Sequence, residues 1–201
     1  NGSAAVTGGA DFTAVGSLTA FTVTASGEAA DVTLGAIGVA ADSGISAGAV
    51  ITLTGRDGGD ITLGDVAIGT AQTNGGVSIQ AGGSSNIVFG NFVGTGAAFG
   101  GLTISAGTLA SVTAGTISTT GTGAGLGNVS ITEAASGTVR IGQITVASAG
   151  TVSATLASDA KLNLAGLTAT GSVSNTVGNV SISGGGNATV GTISASGIGT
   201  F

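Results

Sequence analysis

Cysteine, proline, histidine, methionine, tryptophan and tyrosine are all missing from this chain of 201 residues. Without cysteine and histidine, neither a disulfide framework nor a Cys/His zinc site can form. The usual nucleophile–base pairs of covalent catalysis lose both partners as well. Charge is scarce: 6% of residues are charged, against roughly 25% in an ordinary domain. Only three residues are basic, too few for the phosphate contacts of nucleic-acid binding. Asp11, Glu28, Asp31, Asp42, Asp57, Asp60 and Asp65 crowd the first 65 positions with Arg56 as their only base, whereas Glu133 and Asp159 are balanced by Arg140 and Lys161. The net charge of −6 therefore sits in the N-terminal third, where it opposes contact with an anionic membrane surface. No apolar run reaches membrane-spanning length, so no membrane insertion is expected. No secretory signal is recognisable and the first residue is not methionine, so a processed chain or a fragment of a longer one is expected.

What remains is glycine, 41 residues of it, with 42% hydrophobic residues in regular places. A disordered low-complexity chain would not space its valines and isoleucines so evenly. Alternating runs dominate: TVTAS, VITLTG, DITLGDVAIG, VSIQAG, LTISAG, NVSITE, VRIGQITVAS and VSISGG. Period-two alternation rich in β-branched residues predicts strands with one buried face, and glycine interrupts every window long enough for a helix. The chain is read as all-β.

The alternation repeats. GNVSI stands at 127–131 and again at 178–182. The pattern apolar–Gly–any–apolar recurs as LGAI, LGDV, FGNF, AGTI, IGQI and VGTI, with LAGL filling the same slot through Ala165. From Gly35 the steps are 29, 26, 25, 27, 23 and 26 residues. A second strand follows in each unit, marked by Ile51/Leu53, Val77/Ile79, Leu102/Ile104, Val129/Ile131, Val152/Ala154 and Val180/Ile182. Two independent markers share a period of about 26 residues, the signature of a repeat whose units bury their apolar faces only by stacking.

The expected fold is a single-stranded β-solenoid of seven to eight coils, each hydrogen-bonded to the next at about 4.8 Å. Glycine is expected at corners that demand backbone angles forbidden to other residues. A β-sandwich is the alternative, but it gives the markers no reason to recur at constant phase. Residues 1–16 are read as an N-terminal segment able to donate an inter-subunit strand, and residues 17–201 as the repeat domain.

In strings such as GTVRIGQITVASAG and GNATVGTISASG the chain resembles the Gly-rich, β-helical passengers of secreted bacterial proteins. These are the filamentous haemagglutinin-like and autotransporter adhesins and some surface-layer proteins. The resemblance implies an exported, cell-surface protein with a structural or adhesive role, and it carries no catalytic residue with it.

Candidate sites are few. The densest polar stretch, GRDGGDITLGD, offers Asp57, Asp60 and Asp65 as calcium ligands, against the reading of a solvated corner. No catalytic residue and no other cofactor site is expected, and the chain is read as no enzyme. Asn1, Asn128, Asn179 and Asn187 head Asn-x-Ser/Thr sequons open to glycosylation. Phe89, Phe92 and Phe99 are read as core fillers of one coil. Phe12, Phe21 and Phe201 lie near the two ends and are the candidates for self-assembly contacts. The second-strand positions Thr52, Ser78, Thr103, Ser130, Ser153 and Ser181 form a mixed hydroxyl ladder, less regular than the Thr-x-Thr ranks of ice-binding solenoids.

Neither end carries a recognisable polar cap, and open solenoid ends are unpaired strand edges. Head-to-tail contacts that do not close make filaments. The expectation is a structural subunit of an extracellular filament, sheath or surface layer, partnered by copies of itself. The alternative is an adhesin passenger or binding module for surface glycans.

Overall fold

The computed structural model describes residues 6–7, 12–14, 18–26, 31–39, 45–69, 76–95, 99–121, 126–148, 150–170 and 180–196. Every described regular element is a strand, and every pairing is parallel with a partner one coil away. The chain climbs through β1 (Val6–Thr7), β2 (Phe12–Ala14) and β3 (Leu18–Ser26), then β4 (Val32–Thr33), β5 (Ile37–Val39) and β6 (Ile45–Arg56). Next come β7 (Ile61–Thr62), β8 (Val66–Gly69) and β9 (Gly76–Ala81), then β10 (Asn86–Phe89), β11 (Phe92–Thr95) and β12 (Gly101–Ala106). Thereafter the first two strands of a coil fuse: β13 (Ser111–Gly121) precedes β14 (Asn128–Glu133), and β15 (Thr138–Ser148) precedes β16 (Val152–Leu156). The ladder ends with β17 (Lys161–Thr170), β18 (Val180–Gly184) and β19 (Asn187–Ser196).

Stacking these coils makes three faces. The first joins β1, β4, β7 and β10 to the leading halves of the fused strands. The second joins β2, β5, β8 and β11 to their trailing halves. The third is a separate sheet of seven strands, β3, β6, β9, β12, β14, β16 and β18. This is the β-solenoid that the repeat predicts, with about 26 residues per turn. The first sixteen residues are continuous with it where described, since β1 and β2 pair with β4 and β5.

The apolar–Gly–any–apolar motif is the bend between the first and second faces. Ala114 and Ile117 are both buried while Gly115 and Thr116 between them face outward, so the bend turns two apolar residues onto one core. Gly64, Gly90, Gly115, Gly142 and Gly191 do not need a left-handed backbone, contrary to the expectation. They are needed for close approach: a Cβ on Gly142 would stand 2.8 Å from the carbonyl oxygen of Gly115 in the preceding coil. Positive φ is instead concentrated in the tight turns between the third and first faces, at Asp57, Gly58, Gly83, Leu109, Ser136 and Asp159.

Register also explains the scatter in the period. The first and second faces keep five residues between equivalent positions, as in Ile61/Val66, Ile87/Phe92, Val112/Ile117, Val139/Ile144 and Leu162/Leu167. Third to first is just as constant from Ile51/Ile61 to Val152/Leu162. Variation enters between second and third, where Ile117 to Val129 is a longer step than Ile144 to Val152.

Inside runs one apolar column. It includes Leu53, Ile79, Ile104 and Ile131 from the third face, Ile61, Ile87, Val112 and Val139 from the first, and Val66, Phe92, Ile117 and Ile144 from the second. Each such side chain contributes about 1.5–3 kcal/mol by leaving water. Seven described strands stack on the third face, one per coil, beside the seven to eight coils expected. The core thins at the C-terminal end, where β18 and β19 have no buried residue among those described.

Candidate functional site

The polar side chains of the corners are organised by the coil repeat. At the start of the first face, Asp60 Oδ1 accepts the backbone N–H of Asn86 at 2.7 Å, and the Asn86 side-chain amide donates to the same carboxylate at 3.2 and 3.3 Å. Asn86 Oδ1 in turn accepts the Ser111 hydroxyl at 2.6 Å. At the bend between first and second faces, Asp65 Oδ1 accepts the N–H of Asn91 at 2.7 Å. Asn91 Oδ1 then accepts the N–H and hydroxyl of Thr116 at 3.0 and 2.9 Å. A third ladder opens the third face, where Asn128 Oδ1 accepts the N–H and hydroxyl of Thr151 at 2.8 and 3.0 Å. Each ladder satisfies a backbone donor that the bend removes from the strand pairing, a role for which a carboxylate or amide oxygen is well suited.

These ladders separate the acidic trio. Asp57 is exposed in the turn after β6, while Asp60 and Asp65 flank β7 and serve two different ladders. Among the described residues, no group of three or more acidic, histidine or cysteine side chains is placed to hold a metal ion. The geometry gives Asp60 and Asp65 a structural task. Asp60→Ala is expected to lower the unfolding free energy by about 1–2 kcal/mol through the orphaned Asn86 N–H. Asp60→Asn retains an acceptor oxygen and is expected to lose less than half of that. Urea unfolding with and without calcium checks both: a calcium site would instead lose its calcium-dependent stabilisation in both variants.

Of the sequons, Asn128 is half-buried in its ladder and Asn187 is exposed at the start of β19. Asn1, Asn179 and Phe201 lie outside the described residues. Phe12 and Phe21 fall in β2 and β3, but their side chains lie outside the described set. Phe89, Phe92 and Phe99 are buried.

On the third face, the sequence reading finds one polar rank where there are two. Beside Thr52, Ser78, Thr103, Ser130, Ser153 and Ser181 runs a parallel rank of five hydroxyls and one amide, Thr54, Gln80, Ser105, Thr132, Thr155 and Ser183, with Thr54 buried, held in register by five ladders. The second rank lies two residues further along each strand, so period-two alternation alone places it. Along its edge runs an open groove of about 660 Å³ lined by Gln80, Ser105, Thr132 and Thr155, with Arg56, Glu133 and Leu156 also on its wall.

At the other extreme of the ladder, among the described residues, β18 and β19 pair on one side only, as do β1, β2 and β3 at the opposite extreme. Ile193 is 43% exposed there, and Ile182 and Val190 are half-covered against the core. The chain matches no family model, no curated protein and no solved structure in these comparisons.

Proposed function

We propose that this chain is a structural subunit of an extracellular filament, sheath or surface layer that adds copies of itself end to end by β-strand pairing. The observation that carries the reading is the register of the outermost described coil. Val190, Ile193 and Ile182 continue the columns of Leu164, Leu167 and Ala154, yet among the described residues their strands have an unpaired edge. A second copy's first coil fits that edge without a new register. Its β1 is equivalent to Ala188–Thr189, its β2 to Ile193–Ala195, and Phe21 in its β3 to Val180, by the ladders that connect them through every intervening coil. Such a joint is heterologous and does not close, so it propagates a rod. An exported, cell-surface setting suits a chain with little charge and no thiol to oxidise.

Electron microscopy and light scattering of the purified chain test the reading. The native chain is expected to form filaments one solenoid wide, and Ile193→Lys, which places a charge on the open edge, is expected to leave short rods. Dispersed rods from the native chain at high concentration would overturn it. The two uncharged polar ranks of the third face favour a second reading, an adhesin passenger holding surface glycans. Its signature is glycan retention by rods that stay monomeric.

A further inference from the structure

Glu133 is the one buried ionisable side chain among the described residues, 1% exposed. It closes β14 in the inward column whose equivalents in the other coils are Gly55, Ala81, Ala106, Leu156 and Gly184. Neither carboxyl oxygen makes a well-formed hydrogen bond. Burial raises its pKa from 4.5 to about 7, against a smaller opposite pull from the backbone N–H groups of Lys161 and Val139. The strands beside β14 in its sheet, β12 and β16, carry no charged side chain, nor does β13. Arg140 on β15, Asp159 in the turn after β16 and Lys161 on β17 are the charges of the remaining neighbours, and all three are exposed. No cation therefore stands inside the solenoid to hold a carboxylate, and an ionised carboxylate without a partner is among the costliest groups to bury.

We propose that Glu133 is a proton-dependent lock on the coils around it: protonated it is a neutral core filler, and ionised it drives β14 and the turn that follows it open toward water. In the unfolded chain the group titrates near 4.5, and in the fold near 7. Between those values the folded chain holds a proton that the unfolded chain does not, so stability falls as pH rises through this window and levels off above it. Each pH unit inside the window changes the unfolding constant by up to tenfold. The C-terminal coils are then the part of the rod that loosens first above neutral pH.

The test is urea unfolding of the whole chain at pH 5 and pH 8, for the native sequence, Glu133→Gln and Glu133→Leu. The native unfolding constant is expected to rise by about two powers of ten across this interval. Both variants are expected to lack that rise, and Glu133→Leu to exceed the native chain in stability at pH 8. The same pH response in native and variant chains would overturn the proposal. Should a variant fail to fold, the side-chain carboxyl carbon of Glu133 in the native chain, followed by NMR, decides. A midpoint above 6 supports the lock and one below 6 overturns it.

Discussion

Phe99→Ala is expected to lower the unfolding free energy by about 3–5 kcal/mol, the cost of removing a fully buried aromatic ring. The ring has no exposed surface and lies tilted against Phe92, with centroids 6.0 Å apart and an interplanar angle of 45°. It sits just before β12, where the chain turns from the second face into the third. That is also the turn whose length varies from coil to coil. The space for the ring is supplied by Gly94 of the same coil, where a Cβ would meet Phe99 Cε1 at 2.6 Å. Glycine and phenylalanine here are two halves of one packing solution. Alanine at 99 would leave a void between coils already fixed by their ladders, so the site cannot collapse to fill it. Phe99→Leu, which keeps most of the volume, should cost less than about 1.5 kcal/mol. Val93→Ala, on the exposed side of β11, should stay within about 0.5 kcal/mol. Urea unfolding of the three variants checks the order. A loss under 1 kcal/mol for Phe99→Ala would place the ring outside the core.

Much of this architecture is legible in the residues. Alternation in NVSITE and VSIQAG marks the strands, and the recurring apolar–Gly–any–apolar string is a real corner whose phase survives every coil. Sequence neighbours and spatial neighbours part company at the acidic corner. Asp57, Asp60 and Asp65 are neighbours in sequence, which suggests one metal site. Asp60 stands just before β7 and Asp65 just before β8, at the bend, and their partners Asn86 and Asn91 lie one coil further along the chain. In a solenoid, the residues that meet are a period apart. Glu133 was open to the same logic. Val129, Ile131 and Glu133 share one parity in β14, so alternation puts the carboxyl inside, although charge counting treats it as the surface partner of a nearby base. The extent of the core was not legible, because end coils repeat the strand pattern without acquiring the neighbour that would bury them. The reason for the corner glycines was also hidden. Sequence marks a glycine but does not tell a left-handed turn from two backbones in near contact.

Gly101 combines both demands, and Gly101→Ala is expected to cost about 3–5 kcal/mol from backbone strain and overpacking together. Its φ of 127° belongs to a region that side chains rarely enter. A Cβ would also stand 2.7 Å from the carbonyl oxygen of Asn128 and 3.2 Å from its nitrogen. Asn128 cannot simply retreat: it pairs with Gly101 in the β12–β14 ladder, and its side chain caps Thr151 in the following coil. Displacement at this point would therefore be passed along the axis rather than absorbed locally. Gly76 is the internal control. It occupies the equivalent position one coil earlier without a positive φ, and its Cβ would approach the Gly101 carbonyl oxygen at 3.1 Å. Gly76→Ala should cost about 1 kcal/mol, the low end of overpacking. If unfolding curves show the two alanine variants equally destabilised, the backbone angle at Gly101 contributes nothing and close approach between coils is the whole reason for glycine here. If Gly101→Ala is the worse by 2 kcal/mol or more, the third face is locked by a single strained residue at its entry. Its polar ranks then owe their register to that residue as much as to the strands that carry them.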